Sequence, residues 1–222
     1  MNAEFSISLM CLDFLKIREQ IEILNTKADY YHVDIMDGHF CKNITLSPDF
    51  MRAVKKIAKL PFDVHLMVEY PNDFIELVRD AGAEWISPHA ETINTDAFRT
   101  IAKIKSLGAK AGVVLNPATP LEYIKHYAGK LDLLTIMTVD VGYAGQPFIE
   151  EMLDKIRLAK QWKEQYGYTY KISIDGSCNA NTFKKLNDAG AEMYVLGSSG
   201  LFSVDPDLSV AYNKMLRDFP DK

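Results

Sequence analysis

The sequence is poor in three features that would each indicate a particular setting. It has no apolar run long enough to cross a bilayer, no cluster of lysine and arginine, and only three cysteines, Cys11, Cys41 and Cys178. An odd, widely spaced set of cysteines favours a reducing cytoplasm over a disulfide framework. A net charge of −5 argues against nucleic acid or an anionic membrane as a partner. The start of the sequence also lacks the pattern of a signal peptide, so we expect a cytoplasmic protein.

What the sequence does contain is a regular alternation of strand-like and helix-like segments. Eight such units in 222 residues predict an α/β fold, a single-domain (β/α)8 TIM barrel over residues 1–222. An open doubly wound sheet is the alternative, but no Gly-x-Gly-x-x-Gly follows the first strand. The predicted strands cover 5–11, 30–36, 62–67, 84–89, 111–115, 133–139, 170–175 and 193–197. The predicted helices cover 13–24, 48–60, 71–81, 95–107, 119–129, 149–165, 179–189 and 206–219.

The stretch YYHVDIMDGHFCKN, at 30–43, has an unusual polar pattern. Its strand places Val33 and Ile35 on one face and His32 and Asp34 on the other. A half-exposed strand with a solvated polar face is one interpretation. In a barrel, however, both faces of the sheet are covered, so His32 and Asp34 must point into the interior.

The same reasoning directs several polar side chains toward the carboxyl ends of the strands, where barrel enzymes have their active sites. Buried carboxylates and imidazoles need partners or a metal. Two of each suit one divalent transition metal, either zinc, iron, manganese or cobalt. For any single residue, a hydrogen-bonded interior group is the alternative. The inward polar residues are Ser8, His32, Asp34, His65 and Asp175, and the inward methionines, either site walls or core fillers, are Met36, Met67 and Met137.

Three loops rich in small residues follow the sixth, seventh and eighth strands. Their sequences are VGYAGQ, DGSCN and GSSGLF. Backbone N–H groups in such turns can hold an anion, and barrel enzymes commonly bind phosphate at the last two loops. None of the three contains Lys or Arg, so recognition would rest on backbone dipoles. Taken singly, each loop could be an ordinary tight turn; together they predict a phosphate site.

Across nearly its whole length, the sequence resembles the ribulose-phosphate 3-epimerase family. The motifs that carry the resemblance are SLM, HVDIMDGHF, DVHLM, MTVDVGYAGQPF, IDGS and LGSSGLF, in this order. Within the family, SLMCLDF, DGSCN and HAETIN are similar to the branch that acts on allulose 6-phosphate. The resemblance implies a barrel of the ribulose-phosphate-binding type in a cytoplasmic, metal-dependent homo-oligomer that inverts C3 of a phosphoketose.

The resemblance also implies roles for individual residues. The metal ligands would be His32, Asp34, His65 and Asp175, and the acid/base pair would be Asp34 and Asp175. One carboxylate would remove the C3 proton on one face of the substrate while the other returns a proton on the opposite face. Substrate contacts would come from Ser8, His65, Gly142, Tyr143, Ala144, Gly145, Asp175, Gly176, Ser177, Gly197, Ser198 and Ser199.

Some positions depart from the family's usual pattern, and others are expected to support the site without reacting. Val141 and Tyr143 replace Pro and Phe, Cys41-Lys42 replaces Val-Pro, and Ala90 replaces Pro; these changes concern substrate fit and loop rigidity. We expect Asp37 and His39 to orient the ligands, and Cys178 to pack within its loop. Ribulose 5-phosphate is the alternative substrate to allulose 6-phosphate. A phosphosugar aldolase or decarboxylase and a non-catalytic phosphosugar-binding protein are more distant alternatives.

Overall fold

Eight short strands close into a parallel barrel in the computed structural model, which describes residues 3–220. Neighbouring strands follow the order of the sequence, and the first strand pairs with the last. This arrangement confirms the predicted (β/α)8 barrel and excludes the open doubly wound sheet. The strands are β1 (Glu4–Ser8), β2 (Tyr30–Met36), β3 (Phe62–Met67), β4 (Ala83–Pro88), β5 (Lys110–Leu115), β6 (Leu133–Met137), β7 (Lys171–Asp175) and β8 (Met193–Leu196).

Seven α-helices surround the barrel within residues 3–220, and several begin and end with the expected local signals. The Ser47 hydroxyl accepts a hydrogen bond from the backbone N–H of Phe50, with Pro48 at the first helical position. Gly167, with φ of 66°, ends the longest helix in the left-handed conformation. The helices are α1 (Ile17–Leu24), α2 (Pro48–Lys55), α3 (Ile75–Asp80), α4 (Ala97–Ser106), α5 (Met152–Tyr166), α6 (Phe183–Ala189) and α7 (Leu208–Asp218).

Several elements are shorter than predicted, and two differences change the path of the chain. The helix predicted over 119–129 is replaced by two 3-10 turns, Leu121–Ile124 and Ala128–Lys130. Leu121 and Ile124 are both buried, and their spacing of three residues places them on one side of a 3-10 turn. The first strand ends at Ser8 instead of residue 11, because the chain turns into a 3-10 segment, Leu9–Cys11, once its pairing with β2 and β8 is complete.

The barrel separates two regions of the core. The larger apolar cluster joins the outward faces of the strands to the helices. Inside, near the amino ends of the strands, a smaller cluster of Trp85, Leu133 and Met193 fills the barrel. Gly112 allows close packing above it, since a Cβ at that position would lie 2.0 Å from the Ser87 hydroxyl. The interior is therefore closed at one end, which leaves the carboxyl ends of the strands as the open end.

Across residues 3–220, every helix is too short or too polar to pass through a bilayer. This finding agrees with the absence of a long apolar run in the sequence.

Candidate active site at the open end of the barrel

Strand register brings the predicted ligands to one level of the barrel. Asp34 on β2 is the register partner of His65 on β3, and Ser8 on β1 is the partner of His32. Asp175 is the last residue of β7, where it pairs with Met137. Alternation within each strand turns these side chains inward, and parallel register aligns their ends. The arrangement follows directly from the parity seen in the sequence.

Four ligand-type atoms meet at this level: His32 Nε2, Asp34 Oδ1, His65 Nδ1 and Asp175 Oδ2. All lie within 4.8 Å of one another. Imidazole nitrogens and carboxylate oxygens alternate, with separations of 3.2 and 3.5 Å around His32 and 3.5 and 3.3 Å around His65. Two ligands each about 2.0–2.2 Å from one ion lie roughly 3–4.4 Å apart, so these four separations fit a shared cation.

The hydrogen bonding of the two imidazoles also fits a cation. His32 Nδ1 lies 2.7 Å from Asp63 Oδ2, and His65 Nε2 lies 2.8 Å from His89 Nε2. The other nitrogen of each ring, His32 Nε2 and His65 Nδ1, is buried without a hydrogen-bond partner. A buried nitrogen without a partner is costly unless it binds something else. These residues therefore fit one divalent metal ion.

The electrostatics of the site favour charged forms. Burial alone would lower the pKa of His32, but the negative charges of Asp34 and Asp63 raise it well above its usual value. Burial alone would raise the pKa of Asp34, but the neighbouring His32 and His65 hold it well below its usual range. The pKa of Asp175 is lowered by the same two imidazoles against the effect of burial. These interactions favour the ionised form of both carboxylates.

A pocket opens above the four ligand-type atoms, and it gathers nearly all the residues predicted to contact substrate. Of the predicted contact residues, His65 alone is not part of the lining. The predicted residues that line the pocket are Ser8, Asp34, Met36, Met67, Met137, Gly142, Tyr143, Ala144, Gly145, Asp175, Gly176, Ser177, Gly197, Ser198 and Ser199. The lining also includes residues that the sequence did not single out as contacts, among them Met10, Cys11, Asp140 and Gln146.

The loops after β6, β7 and β8 pack into one continuous rim. The Ser177 hydroxyl donates to the Gln146 carbonyl at 2.5 Å, and the Asn179 amide donates to the Ser199 hydroxyl at 3.1 Å. Gly200 permits the closest approach, because a Cβ there would lie 2.1 Å from the Cys178 carbonyl oxygen. Among residues 3–220, no Lys or Arg lines the pocket. An anion bound at this rim would depend on backbone and hydroxyl groups.

The three inward methionines border the pocket from the apolar side. Met36 and Met67 form a small buried cluster with Cys41, and Met137 packs with Val139 in another. All three line the pocket above the ligand-type atoms. Their thioether side chains give the site an apolar wall that limits access of water.

Asp37, His39 and Cys178 lie near the predicted site in the sequence, but none of them contacts the four ligand-type atoms. Asp37 accepts hydrogen bonds from the backbone N–H groups of His39, Phe40 and Glu69, which join the loops after β2 and β3. It supports the loops instead of contacting a ligand side chain, and His39 is exposed. Cys178 is buried, and burial raises the pKa of its thiol, so it suits packing better than nucleophilic chemistry.

The supporting residues Asp63, His89 and Glu91 were missed as functional residues. Asp63 contacts His32, His89 contacts His65, and Glu91 contacts His89 at 3.2 Å. Asp63 lies on the inward face of β3, two residues before His65, and His89 directly follows β4 with the inward parity of Ser87. Parity could therefore have identified the first two, whereas nothing in the local sequence of Glu91 signals its contact.

Comparisons with known proteins agree with this architecture. A model of the ribulose-phosphate 3 epimerase family matches residues 4–202. The Bacillus subtilis ribulose-phosphate 3-epimerase is 42% identical over 194 residues, which cover 86% of this chain and 89% of that protein. The ribulose-phosphate 3-epimerase of Aquifex aeolicus is 40% identical over 196 residues, covering 88% and 87%.

Solved structures add evidence for the fold. A crystal structure of 3-hexulose-6-phosphate synthase superposes with a TM-score of 0.72 at 12% identity, over 97% of this chain and 99% of that one. At such low identity the match supports the barrel alone. The family model and the curated relatives carry the assignment further: the chain belongs to the ribulose-phosphate 3-epimerase family of isomerases.

Proposed function

We propose that this protein is a metal-dependent 3-epimerase that interconverts D-ribulose 5-phosphate and D-xylulose 5-phosphate. One observation carries the proposal: Asp34 on β2 and Asp175 on β7 reach the same buried point from different sides of the barrel, with two imidazoles between them. The names of the curated relatives supply the substrate. For this reason we favour ribulose 5-phosphate over allulose 6-phosphate, which the sequence motifs alone suggested.

The two carboxylates would move the proton. The hydrogen on C3 is weakly acidic because it lies next to the C2 carbonyl. In one direction, ionised Asp34 takes this proton on one face, and Asp175, which must first take up one proton, gives it to C3 on the other face. The enzyme then holds its proton on Asp34, so the roles are exchanged in the reverse reaction. A carboxylate with a lowered pKa is a weak base, so alignment with C3 must supply much of the rate.

His32, Asp34, His65 and Asp175 would hold the cofactor, one divalent ion of zinc, iron, manganese or cobalt. When bound, such an ion supplies a Lewis acid for the negative charge that builds on the oxygens of C2 and C3. Ser8 supports this arrangement by donating a hydrogen bond of 2.9 Å to Asp34 Oδ2. That bond leaves Asp34 Oδ1 as the oxygen of the four-atom cluster.

The phosphate group would bind at the rim formed by the loops after β6, β7 and β8, at Gly176-Ser177 and Gly197-Ser198-Ser199. The pocket contains three carboxylates, Asp34, Asp140 and Asp175. A phosphate is best placed away from these charges, on the side where small residues expose the backbone. All three cysteines are free thiols, which agrees with a reducing compartment such as the cytoplasm.

Allulose 6-phosphate remains a second candidate because of where the unusual residues lie. Cys11, Tyr143 and Cys178, which belong to the motifs that differ from the family's common pattern, all line the pocket. A hexulose phosphate is one carbon longer than a pentulose phosphate. The distance between the proton-transfer site and the phosphate rim therefore decides between the two.

The test is to measure turnover of both phosphoketoses in heavy water, with zinc, iron(II), manganese or cobalt added to metal-stripped protein. We expect deuterium at C3, no carbon–carbon cleavage, and a higher kcat/KM for ribulose 5-phosphate. A higher value for allulose 6-phosphate would transfer the proposal to that substrate. Cleavage products would instead indicate an aldolase or decarboxylase, and the absence of exchange with every metal and both substrates would exclude an epimerase.

A further inference from the structure

His65, His89 and Glu91 form a line of hydrogen bonds that leads away from the pocket, with the two histidines buried and Glu91 partly exposed. His65 Nε2 lies 2.8 Å from His89 Nε2, and His89 Nδ1 lies 3.2 Å from Glu91 Oε2. His89 is fully buried and stacks on His65, with ring centroids 4.9 Å apart. The ring of Phe40 covers it at 4.5 Å. The positions of the hydrogens along this line decide whether His65 Nδ1, the nitrogen that faces the site, carries a hydrogen or a lone pair.

The outer end of the line is an acceptor. Glu91 Oε1 accepts hydrogen bonds from the backbone N–H of Asn116 at 3.0 Å and from the Thr119 hydroxyl. Burial alone would raise the pKa of Glu91, but hydrogen bonds from His89 and Thr119 lower it to about 2. An ionised carboxylate has no proton to donate. Its second oxygen must therefore also accept, and His89 Nδ1 must carry a hydrogen.

We propose that Glu91 is a positioning residue that fixes the tautomer of His65 through His89. With its hydrogen on Nδ1, neutral His89 presents a lone pair at Nε2. His65 Nε2 must then donate, which leaves His65 Nδ1 free to face Asp34 and Asp175 with a lone pair. Each step follows from the one before it, so a single carboxylate two side chains away selects the nitrogen that binds a cation.

His32 reaches the same result by a shorter route. Its Nδ1 donates directly to Asp63, and its Nε2 faces the site. The two imidazoles thus present different nitrogens, and each is held by a carboxylate outside the four-atom cluster. Asp63 accepts directly from His32. His65 Nε2 faces the imidazole of His89 instead, so Glu91 acts on His65 only through His89.

The inference rests on the proposed metal role of His65, and Glu91→Gln tests it. In this variant the glutamine carbonyl must accept from the Asn116 N–H, so the amide NH₂ faces His89 Nδ1. Because two donors cannot share a hydrogen bond, the hydrogen of His89 should move from Nδ1 to Nε2. There it faces the hydrogen on His65 Nε2, so the hydrogen bond between the two rings is lost. The matched control is Thr119→Val, which removes one hydrogen bond to Glu91 but keeps the carboxylate.

Two measurements on zinc-loaded protein follow the relay. Nitrogen-15 spectra of labelled histidine should show the hydrogen of His89 on Nδ1 in the native protein and in Thr119→Val, and on Nε2 in Glu91→Gln. Competition with a coloured chelator should show zinc affinity reduced about 10–100-fold in Glu91→Gln and nearly unchanged in the control.

Two results would overturn the inference: a hydrogen on Nε2 of His89 in the native protein, or native zinc affinity in Glu91→Gln. If Glu91→Gln does not fold, the spectrum of the native protein alone decides. A native protein that binds none of zinc, iron(II), manganese and cobalt would overturn both this inference and the proposed metal site. A protein with the expected tautomer and zinc affinity but no epimerase activity would contradict only the proposed function.

Discussion

Asp34, which is buried, and Asp175, which is partly exposed to the pocket, bring two negative charges to one point, and their neighbours explain how the fold tolerates them. Two like charges in a buried site repel strongly, and desolvation adds to the cost. His32 and His65 lie between them, and their pKa values are raised against the effect of burial mainly by these carboxylates. Protonated imidazoles balance this charge when no ion is bound, and a divalent cation at the same point would take the place of the protons on His32 Nε2 and His65 Nδ1.

We expect Asp175→Asn to abolish net inversion while the barrel stays folded. The amide cannot exchange a proton with C3 at neutral pH and is a poorer metal ligand. Because general acid–base groups contribute about 10²–10⁴-fold, kcat/KM should fall by at least this range. The measurement is epimerase turnover, together with circular dichroism to verify the fold.

Ser173→Ala is the matched control for that variant. Ser173 lies two residues earlier on the same inward face of β7, and its buried hydroxyl has no hydrogen-bond partner. We expect activity within a few-fold of the native value. Turnover by Asp175→Asn within tenfold of native would contradict the two-carboxylate mechanism.

Among single residues, the sequence identified those site residues whose inward direction depends only on their place in the alternation of a strand. His32, Asp34, His65 and Asp175 are of this kind, since closure of the barrel determines where they point. Glu91 is of another kind: it contacts His89 from a loop after β4 and Asn116 from the loop after β5. Its contacts depend on how two loops pack, which no local periodicity encodes.

Among the elements, the loops after β2 and β6 are joined over one side of the pocket. The Asn43 amide donates to the Gly142 carbonyl at 2.8 Å, and the Tyr143 hydroxyl donates to the Lys42 carbonyl at 2.6 Å. Lys42 and Tyr143 are also positions where the sequence departs from the family's usual pattern. The second hydrogen bond exists only because a tyrosine stands where phenylalanine is usual.

We therefore expect Tyr143→Phe to loosen the loop at 140–147. A hydrogen bond contributes about 0.5–1.5 kcal/mol, so local opening should become roughly 2–10-fold more frequent. Hydrogen exchange by mass spectrometry on peptides from this loop measures the change. Tyr123→Phe, at a partly exposed tyrosine outside the pocket, is the control. Unchanged exchange in Tyr143→Phe would show that this bond does not hold the loop.

Element boundaries show where sequence patterns fail. The strands were predicted to within a few residues because period-two alternation and Gly-Ala joints mark them. The helix predicted over 119–129 was wrong because its apolar residues fit two periods equally well, and Leu121 and Ile124 are packed by 3-10 turns. Short segments allow this ambiguity, since about one turn carries too few residues to separate a period of three from 3.6.

For the whole molecule, a group of exposed apolar side chains on the surface bears on whether copies of the chain associate. Leu15 is 96% exposed and Phe14 55% exposed, and Phe14 contacts Phe50 with ring centroids 5.9 Å apart. Exposed apolar side chains that contact one another on the surface often mark an interface. Together with the oligomeric habit implied by the family resemblance, they lead us to propose a homo-oligomer.

We expect the native protein to sediment as an oligomer and Leu15→Glu to dissociate it. Burying one leucine contributes about 1.5–3 kcal/mol, so the dissociation constant should rise about 10–100-fold. Leu77→Glu, at a leucine on α3 that is 45% exposed, is the control. Sedimentation velocity over a range of concentrations measures the effect. A native protein that stays monomeric, or equal dissociation in both variants, would contradict an interface at Leu15.

The position of the ligand cluster along the chain also matters while the protein is being made. His32 and His65 leave the ribosome long before Asp175, so the growing chain carries an incomplete site until β7 has emerged. β7 pairs with β8 through only two register positions, Ser173 with Met193 and Ile174 with Tyr194. An ion bound by β2, β3 and β7 would hold β7 to the strands on the other side of β8 and β1, and so favour the closed ring. The supply of metal during synthesis would then influence the fraction of newly made molecules that fold into the closed barrel.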